Sequence, residues 1–177
     1  MALPATTAEP SKRADSEGAV EVAVRYVAST DGLMAHSPVG RREVLRGLVA
    51  PELLDAHVTA TGRAIDEVDT RLGASAAELV WVEAPIATYL AAADAQGRAT
   101  VDVWTVSVFA YPDAGLPEQI WRTVHVTVDE RDGRWWAIEV TADAGPTPDA
   151  NPLALPSDVD DFVRVAGWEP VVAGATR

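Results

Sequence analysis

The hydrophobic pattern of this sequence changes period once, near Ser75, and that change limits the folds open to the chain. Up to Leu72 the apolar residues recur every three or four positions, which is typical of amphipathic helices. Beyond Ser75 apolar and polar residues alternate, which is typical of strands with one buried face. Helices followed by strands predict an α+β fold, in which the helices pack on one face of a curved antiparallel sheet.

Three helices are predicted in the first part of the chain. Residues 16–29 and 41–49 form the first two, separated by a stretch with Gly and Pro that breaks the pattern. The third helix, residues 52–72, follows Pro51, which suits the start of a helix. Ile65 is in the middle of its apolar stripe and is expected to face the sheet. The stripe has spacings of 4, 3, 4, 3 and 4 and consists of Leu54, Val58, Thr61, Ile65, Val68 and Leu72.

Four strands are predicted after Ser75, with approximate bounds of 79–93, 99–111, 119–129 and 134–142. Pro85 lies inside the first run, so that strand either bends there or begins at Ile86. The segments DAQGR and ERDGR each hold a glycine where a tight hairpin needs a left-handed residue. The predicted sheet is therefore four-stranded and antiparallel.

The chain divides into three parts. Residues 1–14 have no hydrophobic period and are expected to be a disordered lead-in. Residues 15–142 are the single α+β domain, since 177 residues is the length of one domain. Residues 143–177 are expected to be irregular, with a short C-terminal helix near 157–166 that starts at Ser157 as its cap.

Composition and motifs exclude several classes of function. The formal net charge is −13, so nucleic acid is not an expected partner. The chain has no cysteine, no HExxH motif and no glycine-rich phosphate loop, so no metal, nucleotide or other cofactor is predicted. No apolar run approaches the length of about 18 residues that a membrane-spanning helix needs.

The order of three helices and then four strands resembles the nuclear-transport-factor-2-like fold, also called cystatin-like. In that fold the helices and a curved sheet form a cone, which ketosteroid isomerases and polyketide cyclases share. The resemblance covers residues 15–142 and implies a cone-like domain with an apolar interior. The candidate lining residues are Tyr26, Tyr89, Asp102, Tyr111 and His125.

A narrower resemblance is carried by the segments RREVLRGLVAPE (41–52), ATVDVWTVSV (99–108), QIWRTVHVTV before DGRWW, and DAGPTP followed by DDFVRVAGWEP. These segments resemble actinobacterial membrane-tethered proteins of conjugation gene clusters. Such proteins are similar to the extracytoplasmic assembly domain of the type IV secretion inner-membrane scaffold. The resemblance implies a non-enzymatic assembly or protein-interaction domain of a conjugation or type IV secretion-like envelope machine.

The same resemblance implies partners and a location. The partners would be other proteins of the envelope machine or a second copy of the chain. Proteins of this kind carry an upstream transmembrane helix, which this sequence lacks. The domain is therefore expected at the extracytoplasmic face of the cell membrane if that helix was removed, and in the cytoplasm otherwise. Contact with a membrane is expected only through that missing anchor.

The alternative is a function inside the cone, as a small isomerase, cyclase or dehydratase, or as a small-molecule binding module. Asp102 interrupts an apolar strand and, with Tyr89, is a candidate for acid–base chemistry. The alternation of a strand also allows Asp102 to lie on the non-core face. An open pocket with converging titratable side chains would favour this alternative, and a filled interior would favour assembly.

His125 and Glu139 are a second candidate pair. The even-numbered apolar residues of the last two strands are expected to share the core face, which requires a three-residue loop at 131–133. That register places His125 opposite Glu139 on the non-core face. The pair is interpreted either as a general acid–base dyad or as a cross-strand surface pair, and the surface pair is preferred.

The chain contains six tryptophans. Trp135 and Trp136 are adjacent in a strand and must point to opposite faces. With Trp136 in the core, Trp135 and Trp121 lie on the non-core face. Together with Trp168 they form a predicted protein interface, because tryptophan is enriched at interfaces. The alternative is that the C-terminal segment, through Phe162 or Trp168, folds back and covers this face.

Overall fold

The structure, a computed structural model, describes residues 10–29, 37–72, 80–94, 96–110, 117–148 and 168–171. In these residues three α-helices precede the sheet: α1 (Pro10–Ala28), α2 (Pro38–Leu45) and α3 (Leu54–Leu72), with a 3-10 turn at Pro51–Leu53. The strands are β1 (Val80–Ala93), β2 (Arg98–Ala110), β3 (Glu118–Arg131), β4 (Arg134–Ala144) and β5 (Glu169–Pro170). The predicted α+β class, with helices ahead of an antiparallel sheet, is confirmed.

The second helix shows how capping residues set a helix start. The side chain of Ser37 accepts a hydrogen bond from the Gly40 amide at 3.3 Å, and Pro38 is the first helical residue. Helix α2 therefore begins at Pro38 rather than at residue 41. Helix α1 also begins earlier than predicted, at Pro10.

The sheet is antiparallel, with the strand order β4–β3–β2–β1–β5. Strand β5 is an addition to the four predicted strands, and it pairs with Ala87 and Thr88 of β1. It has two residues, so it shows no period from which the sequence could predict it. The predicted C-terminal helix near 157–166 lies outside the described residues.

Strand β1 continues through Pro85. Its pairing with β2 shifts register between Pro85 and Ala87, which makes Ile86 a β-bulge. The carbonyl of Ile86 accepts a hydrogen bond from the Val171 amide at 2.9 Å. A bulge next to the proline keeps the strand in the sheet although the proline has no N–H to donate.

The two faces of the sheet differ in what packs on them. We call the face that packs on α1 the inner face and the opposite one the outer face. On the inner face Val101, Val103 and Val126 are fully buried, in one core cluster with Ala23 and Val27 of α1. The neighbouring side chains of each strand point to the outer face because a strand alternates.

The turn between β3 and β4 has two residues. Asp132 and Gly133 have φ angles of 54° and 73°, and Arg131 pairs with Arg134. Left-handed conformations at both central positions are typical of a type I′ turn, which the Asp-Gly sequence favours. The predicted three-residue loop at 131–133 is therefore wrong.

A β-bulge in β4 adjusts the register that the short turn sets. Val128 pairs with Ala137, whereas Thr127 pairs with Glu139, so Ile138 is the extra residue. From there on, the even-numbered apolar residues of both strands face each other, as the alternation predicts. The turn and the bulge together achieve what a longer loop was expected to do.

The bulge reverses the faces expected for two tryptophans. Trp135 lies on the inner face and packs against the core beside Gly18 of α1, where an added Cβ would be 2.7 Å from Trp135 Cδ1. Trp136 lies on the outer face, with the guanidinium of Arg134 4.0 Å from its ring centre. The expectation that Trp136 is in the core and Trp135 outside it is wrong, because both residues precede the bulge.

Candidate functional site

A pocket of about 410 Å³ lies between α1, α3 and the inner face of the sheet. Small-molecule sites in proteins have volumes of roughly 300–1,000 Å³. Most of the residues that line the pocket are apolar. The polar and charged ones are Tyr26, His57, Thr61, Glu83, Arg122 and Glu139.

Glu83 of β1 is a buried carboxylate in the wall of this pocket, with a side chain that is 1% exposed. Its Oε1 accepts a hydrogen bond from Thr105 Oγ1 at 2.8 Å, and its Oε2 accepts one from Arg122 Nη2 at 3.1 Å. Ser107 Oγ and Trp81 Nε1 also donate to Oε2. Both oxygens are thus hydrogen-bonded, which offsets the cost of burying the charge.

Arg122 of β3 balances the charge of Glu83. Its Nη2 donates to Glu83 and also to Ser107 Oγ, at 2.8 Å. Its Nε is buried and has no hydrogen-bond partner among the described residues. The side chain is 35% exposed and lines the pocket, so the guanidinium can donate to a molecule held there.

Tyr26 of α1 and His57 of α3 meet at the helical wall of the pocket. The hydroxyl oxygen of Tyr26 is 2.9 Å from His57 Nδ1, and the rings are edge-to-face with centroids 5.7 Å apart. Burial raises the pKa of Tyr26 to about 12, against the opposing effect of a hydrogen bond with Thr61. Burial lowers the pKa of His57, against a hydrogen bond to the backbone of Ile138. Both side chains are therefore uncharged at neutral pH.

The predicted lining residues separate into two groups. Tyr26 lies at the pocket, as predicted. Tyr89, Asp102 and His125 lie on the outer face instead, because the register places each of them at an outward position. Tyr111 lies outside the described residues.

Sequence reasoning missed Glu83 and Arg122, which form the salt bridge in the pocket wall. Glu83 lies on the same face of an apolar strand as Trp81. A charged residue at such an inward position could have been identified from the sequence as a candidate for the pocket. Arg122 was a similar signal, because it lies between Ile120 and Val124 at an even position of β3, on the face that the alternation assigns to the core. The sequence does not reveal that the two side chains meet, since β2 lies between their strands.

Asp102 and His125 form a polar cluster on the outer face. They are paired across β2 and β3, with His125 Nδ1 2.6 Å from Asp102 Oδ1. His125 Nε2 is 3.3 Å from Asp143 Oδ2. Burial lowers the pKa of His125, but the hydrogen bonds and charges of Asp102 and Asp143 outweigh burial, so the pKa is raised. The two carboxylates thus favour the protonated form of His125, which would pair with them at the surface of the sheet.

The predicted pairing of His125 with Glu139 is wrong. His125 lies opposite Thr141, and Glu139 lies opposite Thr127, two positions along the ladder. The difference arises because the two-residue turn and the bulge at Ile138 replace the predicted loop. Neither the acid–base dyad nor the surface pair forms between these residues.

The predicted interface residues do not share one surface. Trp121 contacts Trp104 on the outer face, with ring centroids 5.1 Å apart. Trp168 stacks on Tyr89 of the same face, with centroids 6.0 Å apart, so the chain returns to the sheet near its C-terminus. Trp135 packs on the inner face. Phe162, the other residue expected to cover the sheet, lies outside the described residues.

In the described part of the chain, no three His, Asp or Glu side chains are grouped in a way that could hold a metal ion. The described helices also lack the combination of length and apolar character that crossing a bilayer requires.

No family model and no curated protein matches this chain. Among solved structures, the intermembrane space region of the chloroplast protein ARC6 is similar, with a TM-score of 0.45 and 16% sequence identity. The similarity covers 78% of this chain and 99% of that one. A likeness this weak establishes neither a shared family nor a shared function. The class of protein is therefore defined by the fold and the site: an α+β domain with a pocket between its helices and its sheet.

Proposed function

We propose that this domain binds a small, largely apolar molecule in the pocket between α1, α3 and the inner face. The proposal rests on the open pocket, in which Tyr26, His57 and Arg122 are hydrogen-bonding groups in a mostly apolar wall. Binding sites for small molecules have this composition, in which apolar walls supply affinity and a few polar groups supply orientation. An assembly domain would instead be expected to fill its interior.

The polar groups of the pocket support binding of a ligand rather than catalysis. Glu83 receives hydrogen bonds at both carboxylate oxygens and pairs with Arg122, so it is poorly placed to take a proton from a ligand. Tyr26 keeps its proton at neutral pH because burial raises its pKa to about 12. These groups hold and orient a ligand, and no proton transfer is assigned to them.

Calorimetric titration with 2-acetylnaphthalene and with decan-2-one tests this proposal. We expect saturable binding of at least one compound to the unaltered chain, and at least tenfold weaker binding to Ala60→Trp, whose indole would occupy space at the pocket wall. Thr59→Trp is the matched control, because Thr59 is the exposed neighbour on the same helix and does not line the pocket. No saturable binding of either compound, or equal loss in both variants, would contradict the proposal.

Assembly within a conjugation or type IV secretion-like envelope machine is a second proposal, with the domain on the extracytoplasmic side through an upstream anchor. One observation favours an interaction surface: Val80, Val82 and Tyr89 are exposed apolar or aromatic residues on the outer face of β1. A second copy of the chain is the partner that can be tested directly. Sedimentation velocity should show concentration-dependent association that Val82→Asp abolishes, and a monomer at all concentrations would contradict self-association.

A further inference from the structure

We infer that Glu83 makes the pocket selective for neutral ligands that carry a hydrogen-bond acceptor, such as an apolar ketone or ester, over carboxylates of the same shape. This inference rests on the proposed function and deepens it, because it names the chemical class of the ligand. Arg122 is the donor that would bind the acceptor, and Glu83 is the residue that sets its effective charge. Glu83 is thus a specificity-determining residue that acts through Arg122.

The hydrogen bonds of Arg122 leave donors for a ligand. Both of its bonds within the described residues, to Glu83 and to Ser107, use Nη2. The N–H groups on Nη1 and Nε therefore have no protein partner there, and Nε is buried. A carbonyl oxygen in the pocket would satisfy part of the guanidinium without bringing a charge.

The charge of Glu83 acts against a second anion. Its carboxylate already neutralises Arg122, and its side chain is 1% exposed, so little water screens it. A ligand carboxylate at the same guanidinium would place two anions around one cation and would also lose its own hydration. Both effects weaken the binding of an acid relative to a ketone.

The other polar groups that the structure describes in the pocket offer no positive charge to a ligand carboxylate. Tyr26 and His57 are uncharged at neutral pH, and their shared hydrogen bond occupies His57 Nδ1. Glu139 also lines the pocket, but it is paired with Thr127 at an outward position of the ladder and offers no positive charge to a ligand. Arg122 is thus the cation among the polar residues that line this pocket.

Three naphthalenes of nearly equal shape separate charge from hydrogen bonding: 2-acetylnaphthalene, 2-naphthoate and 2-isopropenylnaphthalene. In titrations of the unaltered chain at pH 7.5 we expect the ketone to bind at least tenfold more tightly than the acid. We also expect it to bind several-fold more tightly than the alkene, which lacks the acceptor. An acid that binds as tightly as the ketone would overturn the inference but leave the pocket as a binding site.

Glu83→Gln is the decisive variant, because it removes the charge and keeps the shape. In this protein we expect 2-naphthoate to bind at least as tightly as the ketone, since Arg122 is no longer neutralised. Glu130→Gln is the matched control, with the same loss of charge at an exposed position. An unchanged preference for the ketone in Glu83→Gln would overturn the inference.

A double variant tests the donor and protects the experiment against misfolding. Glu83→Gln with Arg122→Met removes the ion pair as a unit, so no unpaired charge is left buried. The ketone should then bind no more tightly than the alkene. If the ketone still binds more tightly than the alkene, its carbonyl accepts a hydrogen bond from another donor. That result would overturn the role of Arg122. Failure of all three compounds to bind the unaltered chain would instead contradict the proposed function.

Discussion

His57 and His125 show how the surroundings of a single side chain set its charge. Burial in the pocket wall lowers the pKa of His57. Its partner, the hydroxyl group of Tyr26, is uncharged and so does not stabilise a positive imidazole. His125 is also partly buried, but two carboxylates bind its two ring nitrogens and raise its pKa. The same residue type is therefore neutral at one site and tends to be protonated at the other.

The raised pKa of His125 predicts a pH-dependent stability. Because the folded state has the higher pKa, the stabilising effect is fully present below the pKa of the unfolded chain, near 6.5, and is lost as pH rises through the raised value. We expect His125→Gln to lower the free energy of unfolding more at pH 5 than at pH 8.5, as measured by urea denaturation. An equal loss at both values would contradict the ion pair.

Two aspartate variants provide the controls for that measurement. Asp102→Asn should lower the pKa of His125 in an NMR titration, because Asp102 makes the shorter contact, at 2.6 Å. Asp143→Asn should lower it less, since the contact is 3.3 Å and the Asp143 side chain is 82% exposed. The opposite order would contradict the geometry of the cluster.

Helix α3 is the element that the sequence predicts best, because its period is regular and local. The predicted range of 52–72 matches the 3-10 turn at Pro51–Leu53 and the helix Leu54–Leu72. Ile65, in the middle of the stripe, is buried, with 2% of its surface exposed. Periodicity sufficed here since the residues that define one face of a helix are neighbours in the chain.

Replacement of Ile65 measures how much that buried face stabilises the domain. We expect Ile65→Ala to reduce the free energy of unfolding by about 2–5 kcal/mol, because apolar burial is lost and a cavity is left. Asp66→Ala, at the exposed neighbouring position, should change it by less than about 0.5 kcal/mol. Urea denaturation checks both values. Equal effects of the two variants would mean that Ile65 does not pack in the interior.

The four long strands were predicted to within a few residues, but their pairing and the two-residue strand β5 were not. Alternation locates a long strand, and its errors there are confined to the ends: β4 extends to Ala144 rather than to residue 142. Register depends instead on single inserted residues, and Ile86 and Ile138 are such bulges. Pro85 marked an irregularity next to Ile86, but no local pattern marks the bulge at Ile138, because its effect is felt by the partner strand.

At the scale of the whole molecule, contacts between distant segments hold the helices to the sheet. The amide of Ala137 in β4 donates to the carbonyl of Leu48, and the amide of Ala50 donates to the carbonyl of Ala137. The guanidinium of Arg131, at the β3–β4 turn, binds Glu52 of the 3-10 turn. The turn region of the last hairpin is thereby fixed to the segment that leads into α3.

Tyr26 and His57 make a second long-range link, between α1 and α3. We expect a double-mutant cycle with Tyr26→Phe and His57→Leu to give a coupling of about 0.5–1.5 kcal/mol, the net value of one such hydrogen bond. The free energy of unfolding of the four proteins, measured by urea denaturation, gives this value. Additive effects within about 0.3 kcal/mol would mean that the two side chains do not interact.

The sequence by itself determined the class of fold, the order of the elements and the course of α3, because each follows from a period that neighbouring residues define. It also indicated Tyr26 as a residue of the interior. Only the tertiary structure decided that Tyr26 meets His57 and that Glu83 meets Arg122, since these partners are 31 and 39 positions apart in the chain. Their meeting depends on strand order and register, which bulges and turns set and local periodicity does not encode.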